Sequence, residues 1–196
     1  AQAAVMGGAV AIRAEGTEDI REIRASVSVP VIGLLKVDYP DSPVYITPTW
    51  RELAAVLDSG AQVVAVDATT SPRPGGLGPD ILPAFVERIH SAQRLAMADI
   101  STVDEARMAE EAGFDLIATT LSGYTPYSPQ QTAPDVHLIE QCVAACQRPI
   151  VAEGRIWDPT LAAKALNLGA FAVTVGTAIT DPRKITARFV AAMQTS

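Results

Sequence analysis

One pattern recurs along the whole chain: a polar amphipathic stretch, then Gly or Pro, then a short apolar run. The runs are Ala9 to Ile12, Val29 to Leu35, Val63 to Val66, Leu95 to Ala98, Leu116 to Ala118, Ile150 to Ala152 and Ala172 to Val175. They are apolar almost throughout, as strands buried on both faces should be, and this argues a parallel sheet. Helices are expected between them. Thr17-Glu-Asp-Ile opens one, Thr49-Trp-Arg-Glu and Thr102-Val-Asp-Glu have capping-box spacing, and Asp158-Pro159 puts proline in a first helical turn. Gly60, Gly113 and Gly169 stand where a helix closes in a left-handed cap just before the next strand.

Strict alternation of strand and helix leaves an open doubly wound sheet or a closed (β/α)8 barrel. The residues at the strand ends favour the barrel. The runs lead to Arg13, Lys36, Asp67, Asp99, Thr119-Thr120, Glu153 and Gly176-Thr177. A doubly wound sheet needs polar chemistry only near its switch point, whereas a barrel gathers every strand end around one mouth. The fold class is therefore α/β, a TIM barrel, with residues 1–196 as a single domain and no linker or low-complexity segment dividing it. A barrel of this kind takes eight strands and about 200 residues or more. Ala1 to Gly8 reads as the last turns of a helix with no strand before it. The expectation is that the first β-strand and most of the first helix, roughly 30 residues on the usual unit size, are absent from this chain.

Composition narrows the function classes. Twenty-two acidic against fifteen basic residues give a net charge of -7, which opposes general binding of nucleic-acid phosphates and favours a soluble protein. No apolar run approaches the roughly 20 residues that span a bilayer, and Ala1 to Met6 carries no basic residue of a signal peptide. Cys142 and Cys146, four apart in a helical pattern, read as small core residues and not as a disulfide framework or metal knuckle. A cytoplasmic location is the expectation, with no membrane or nucleic-acid partner.

Lys36 ends an apolar strand, where desolvation and Arg13 would lower its pKa and make it a base near neutral pH. Glu153 is the second candidate, with Gly154 letting the backbone turn sharply away. Their strands face one another across an eight-stranded mouth, an arrangement suited to proton transfer at a carbon next to a carbonyl. Asp67 and Asp99 suit orienting hydroxyls or Lys36 better than binding metal. His90 and His137 both fall in helical stretches, so no transition-metal site is expected. Gly154 and Arg155 after one strand, and Gly176 and Thr177 after the next, can turn backbone NH groups inward where barrels commonly bind phosphate.

At these residues the chain resembles the N-acetylmannosamine-6-phosphate 2-epimerase family of phosphate-binding barrels. The matching stretches are Gly8-Ala-Val-Ala-Ile-Arg-Ala, the 17-residue block Gly33-Leu-Leu-Lys-Val-Asp-Tyr-Pro-Asp-Ser-Pro-Val-Tyr-Ile-Thr-Pro-Thr, Val66-Asp-Ala-Thr, Met97-Ala-Asp-Ile-Ser-Thr, Ser122-Gly-Tyr-Thr, Val151-Ala-Glu-Gly-Arg-Ile and Val175-Gly-Thr-Ala-Ile-Thr. The resemblance implies an isomerase that inverts C2, interconverting N-acetylmannosamine 6-phosphate and N-acetylglucosamine 6-phosphate in sialic-acid catabolism, with no cofactor and no metal. It implies that Lys36 and Glu153 are catalytic and that Arg13 and Asp99 hold the sugar and its N-acetyl group; Asp67 and Tyr124 are further candidates for binding the sugar. Gly154, Arg155, Gly176 and Thr177 match the phosphate cradle, and a homodimer is expected. Asp181 stands where the family usually has an arginine, so Arg183 is the expected replacement counter-charge. Two alternatives stay open: a sugar-phosphate binding protein without turnover, and another phosphate-barrel epimerase or synthase relying on carboxylate pairs or metal.

Overall fold

The computed structural model describes residues 1–194. Among these residues seven strands form one sheet in chain order, every neighbouring pair parallel, and the sheet curls into a nearly closed barrel. The elements are α1 (Gln2–Met6), β1 (Ile12–Glu15), α2 (Thr17–Ser26), β2 (Val31–Leu34), α3 (Trp50–Asp58), β3 (Val63–Asp67), α4 (Leu82–Ser91), β4 (Leu95–Asp99), α5 (Val103–Glu111), β5 (Leu116–Ala118), α6 (Val136–Ala145), β6 (Ile150–Glu153), α7 (Pro159–Asn167), β7 (Ala172–Thr174), α8 (Thr177–Thr180) and α9 (Pro182–Gln194). Among the described residues β1 and β7 do not pair with each other. No helix among these residues is long and apolar enough to cross a membrane.

The local signals explain where the helices start and stop. Thr49 and Thr102 each close a full capping box with Glu52 and Glu105, and Asp158 accepts from the Thr160 amide at the head of α7. The α3, α5 and α7 helices run out into Gly60, Gly113 and Gly169, whose φ values of 85°, 94° and 99° are left-handed. α2 differs: its N-cap is Gly16, and no side chain caps it.

The first strand begins later than the apolar run suggests. Gly8 and Ala9 donate their amides back to Val5 and Ala4 to close α1, so pairing begins only at Ile12, which donates to the Pro30 carbonyl. Val10, expected in the strand, is 77% exposed. The shift places Arg13 inside β1 instead of at its end.

Strand alternation sorts the side chains into two cores. Ala14, Val31, Val64, Val66, Ala96, Ala98 and Ile117 pack outward against the helices. Leu34, Val63, Ala65, Met97, Ala118 and Val151 fill the barrel interior, with Ile46 and Leu121 folded over the top. Gly33 points outward where no side chain fits: an added Cβ would lie 2.6 Å from the Ala61 Cβ and 2.9 Å from the Ile20 Cδ1. Because inward positions recur every second residue, the interior rows lead upward to Arg13, Lys36, Asp67, Asp99, Thr120, Glu153, Thr174 and Gly176 at the carboxyl ends of the strands.

Candidate active site

Arg13 is the centre of the mouth. Its Nη1 and Nη2 donate to Asp99 Oδ1 and Oδ2 at 3.0 and 2.6 Å, and Nη1 lies 3.2 Å from Glu153 Oε2. The fork reaches both carboxylates from within β1, which is why its position inside the strand matters. Burial works against the Arg13 charge, but Asp99 and Glu153 more than offset it and hold the guanidinium above its ordinary pKa. Thr120 donates a third hydrogen bond, 2.7 Å, to Asp99 Oδ1. Asp99 is wholly buried and fully engaged.

Glu153 is less satisfied. Its Oε2 is buried and makes no hydrogen bond of good geometry, with only the Arg13 ion pair beside it. Burial raises the Glu153 pKa, Arg13 opposes that, Asp99 adds to it, and hydrogen bonds with Thr120 and Thr174 oppose it. A proton on this carboxyl is thus easier to keep than on a free glutamate. The backbone is fixed from the side, since the Thr119 hydroxyl donates to the Glu153 carbonyl at 2.9 Å and accepts from its amide at 3.1 Å.

Asp67 pairs in register with Asp99 at the end of the neighbouring strand. It is buried beneath the loop after β3, its Oδ1 accepting from the Thr69 amide and hydroxyl at 2.9 and 2.7 Å. Burial pushes its pKa up to about 6, against the Thr69 hydrogen bonds and the charge of Arg73. Arg73, 1% exposed, stacks over the Phe85 ring and donates to the carbonyls of Pro48 and Asp67. It ties the loops after β2 and β3 together over the barrel.

Lys36 stands at the same rim but is exposed, so the desolvation expected around it is absent. The reason is local. Beyond β2 the chain leaves the sheet and doubles back: Val37 donates to the Tyr45 carbonyl, Thr47 to the Leu35 carbonyl, and Lys36 bridges Ile46 in antiparallel sense. This ribbon lifts Lys36 above the mouth. Strands β3 to β5 separate its strand from that of Glu153, so the two groups approach from well-separated parts of the rim.

The expected phosphate elements divide. Gly154 and Arg155 have φ of 112° and 56°, a sharp turn after β6. The Arg155 side chain is engaged by the loop after β5: Nε donates to the Ala133 carbonyl at 2.9 Å, Nη1 to the Ser122 carbonyl, and the guanidinium lies 5.9 Å from the centre of the Tyr124 ring. Arg155 thereby acts as a clamp across the rim, leaving backbone donors as what this turn offers an anion. Gly176 opens α8 with no atom within 4 Å of where a Cβ would sit, so Gly176 faces open space, while Thr177 beside it is half-buried. Asp181 is turned to the head of α9, where its Oδ1 accepts from the Lys184 amide at 3.1 Å and its Oδ2 lies 3.6 Å from Lys184 Nζ. That amide bond holds the Asp181 carboxyl below its usual range. Arg183 is exposed on the first turn of α9.

Three residues of the site have no role that the sequence assigns individually. Thr120 and Thr174 lie on inward rows and touch Asp99 or Glu153, a placement that counting by twos from the strands would find. Tyr45 comes from the ribbon after β2, where no strand period applies. Among the described residues no cluster of three or more His, Cys, Asp or Glu has the disposition to hold a metal ion.

Residues 1–195 match the family model described as "NanE: Putative N-acetylmannosamine-6-phosphate epimerase". The chain is 55% identical over 192 residues to a protein of Caldanaerobacter subterraneus subsp. tengcongensis named "Putative N-acetylmannosamine-6-phosphate 2-epimerase", covering 97% of this chain and 80% of that one. A solved structure of the N-acetylmannosamine-6-phosphate 2-epimerase from Clostridium perfringens superposes with a TM-score of 0.93 at 47% identity, over 97% of this chain and 82% of that one. The thiamine phosphate pyrophosphorylase from Pyrococcus furiosus, 17% identical with a TM-score of 0.58 over 94% of this chain and 83% of that one, shares the fold alone.

Proposed function

The chain belongs to the N-acetylmannosamine-6-phosphate 2-epimerase family, and from that premise we propose that its barrel mouth interconverts N-acetylmannosamine 6-phosphate and N-acetylglucosamine 6-phosphate by moving a proton at C2. It is a carbohydrate epimerase of the isomerase class. When the sugar opens to its aldehyde, the C2 proton becomes acidic. A base removes it and leaves an enediol-like intermediate, and a proton returned to C2 from the opposite face inverts the centre. The two faces need two groups, directly or through water, and Lys36 and Glu153 are those groups in this reading.

The observation that carries it is the state of Glu153. Its buried Oε2 has no hydrogen bond of its own, and burial favours the protonated carboxyl. A carboxyl at the inner rim whose burial makes its proton easier to keep suits giving and taking one proton. Arg13 and Asp99, joined by two hydrogen bonds, supply a donor fork and a wholly buried acceptor for the sugar hydroxyls and the N-acetyl group. Asp67 and Tyr124 complete the sugar contacts. The phosphate is assigned to the backbone NH groups at Gly154, Arg155, Gly176 and Thr177, with Arg183 as the counter-charge from α9. The proposal includes a role in sialic-acid catabolism, a cytoplasmic location and a homodimeric state, as the family resemblance implies.

The reaction is proposed to be cofactor-independent, and this separates it from the metal-dependent barrel enzymes. Incubation with N-acetylmannosamine 6-phosphate is expected to give N-acetylglucosamine 6-phosphate at an unchanged rate after exhaustive treatment with EDTA. Binding of the sugar phosphate without conversion would support the binding-protein alternative. Conversion abolished by the chelator and restored by a divalent cation would support a metal-dependent enzyme.

A further inference from the structure

Lys36 makes no ion pair among the described residues, and its side chain is exposed. An unrestrained lysine samples many rotamers and cannot present its nitrogen to one face of a substrate carbon. The Glu15 carboxylate accepts from the Lys36 backbone amide at 3.1 Å, and an aromatic ring faces the ammonium. The Lys36 Nζ lies over the Tyr45 ring, 5.9 Å from its centre. The ring itself is anchored, half-buried on the interior row formed by Leu34, Ile46, Val63, Ala65, Met97, Ala118, Leu121 and Val151. Backbone bonds lock the two residues together, since Val37 donates to the Tyr45 carbonyl and Lys36 bridges Ile46.

We propose that Tyr45 is a positioning residue for Lys36: its ring forms a fixed platform at the top of the barrel interior on which the Lys36 side chain is held toward the mouth. This rests on the epimerase reading for its kinetic consequence, though not for its geometry. Attraction between an ammonium and the negative face of an aromatic ring is directional, and here it stands in for the ion pair that the Lys36 ammonium does not make among the described residues. Tyr45 also lies within electrostatic reach of Asp99, Asp67, Tyr124 and Arg13, so the platform borders the charged centre of the site. Burial, with Asp99 and Asp67 nearby, pushes the Tyr45 pKa up to about 12. The phenol therefore stays neutral over the working range.

The placement can be read directly because the chain has only three lysines, Lys36, Lys164 and Lys184. In protein labelled with 13C-lysine, the ε-methylene protons of Lys36, assigned with a Lys36→Arg variant, are expected upfield of those of the other two through the ring current. Tyr45→Phe keeps the ring and is expected to keep the shift, while Tyr45→Leu, which preserves apolar packing, is expected to abolish it. In turnover, Tyr45→Leu is expected to lower kcat about 2- to 5-fold, the range of an exposed cation–π contact, with KM little changed. Tyr45→Phe is expected to match the wild type. A Lys36 signal without an upfield shift in the wild type, a shift that survives Tyr45→Leu, or an unchanged kcat in Tyr45→Leu would each overturn the proposal. A wild-type protein that does not epimerise would overturn the functional reading instead, and the NMR result would still decide where Lys36 is held.

Discussion

Lys36→Ala is expected to lose about 10²-fold or more of kcat, the scale on which a positioned proton-transfer group contributes. The fold should be untouched. Lys36 is exposed, takes part in no ion pair among the described residues, and contributes to the ribbon through its backbone, which alanine retains. Urea denaturation of the variant is therefore expected to agree with the wild type to within about 0.5 kcal/mol, as for other surface substitutions away from special features. Lys36→Arg offers the sharper contrast, because a guanidinium preserves the charge and cannot serve as a base. If charge alone mattered, the arginine variant would recover activity. The proton-transfer role predicts that it stays as impaired as the alanine variant, with KM for the sugar phosphate changed far less than kcat.

Arg13→Ala should produce the largest loss of stability, about 3–5 kcal/mol in urea denaturation at about pH 8, together with loss of activity. One guanidinium balances two carboxylates, with contacts of 2.6 Å to Asp99 and 3.2 Å to Glu153, and its side chain is only 10% exposed. Removing it strands both acids in a poorly solvated site, the case in which breaking a buried pair costs most. The sign of the pH dependence can be derived from the same burial. Without Arg13, Glu153 loses the charge that opposes its burial, so its folded-state pKa stands further above the unfolded value and the folded variant binds protons more tightly than the unfolded chain. Its stability is then highest on the acid side and falls as pH rises through the raised Glu153 value. The difference between variant and wild type should accordingly be smaller at about pH 5 than at about pH 8. An equal difference at both pH values would mean that Arg13 acts through packing alone.

The barrel was legible in the sequence because each level repeats the same statement. Apolar runs too uniform for a half-exposed sheet, capping boxes at Thr49 and Thr102, and left-handed glycines at Gly60, Gly113 and Gly169 all mark the same alternating units. The polar strand ends were legible too, and the structure brings Arg13, Asp99 and Glu153 into direct contact. What the sequence hid lies where periodicity stops. Hydrophobicity placed the first strand from Ala9, since it does not reveal that the amides of Gly8 and Ala9 are already used to close α1. The same blindness covers the ribbon after β2. Its backbone pairing between residues 35–37 and 45–47 raises Lys36 out of the apolar setting that Val31 to Leu35 implied, and it delivers Tyr45 to the mouth. Arg155 shows a third kind of limit. Its place beside Gly154 was readable, but its commitment to the Ser122 and Ala133 carbonyls depends on a loop far off in sequence.

Epimerisation within this mouth requires that a proton leaves and returns at C2. The most direct measurement is proton NMR of N-acetylmannosamine 6-phosphate incubated with the protein in deuterium oxide. The proposed chemistry predicts N-acetylglucosamine 6-phosphate carrying deuterium at C2, formed with no label at any other carbon. Product formed without C2 deuterium under conditions of free solvent exchange, or no loss of the C2 proton signal at all, would contradict it.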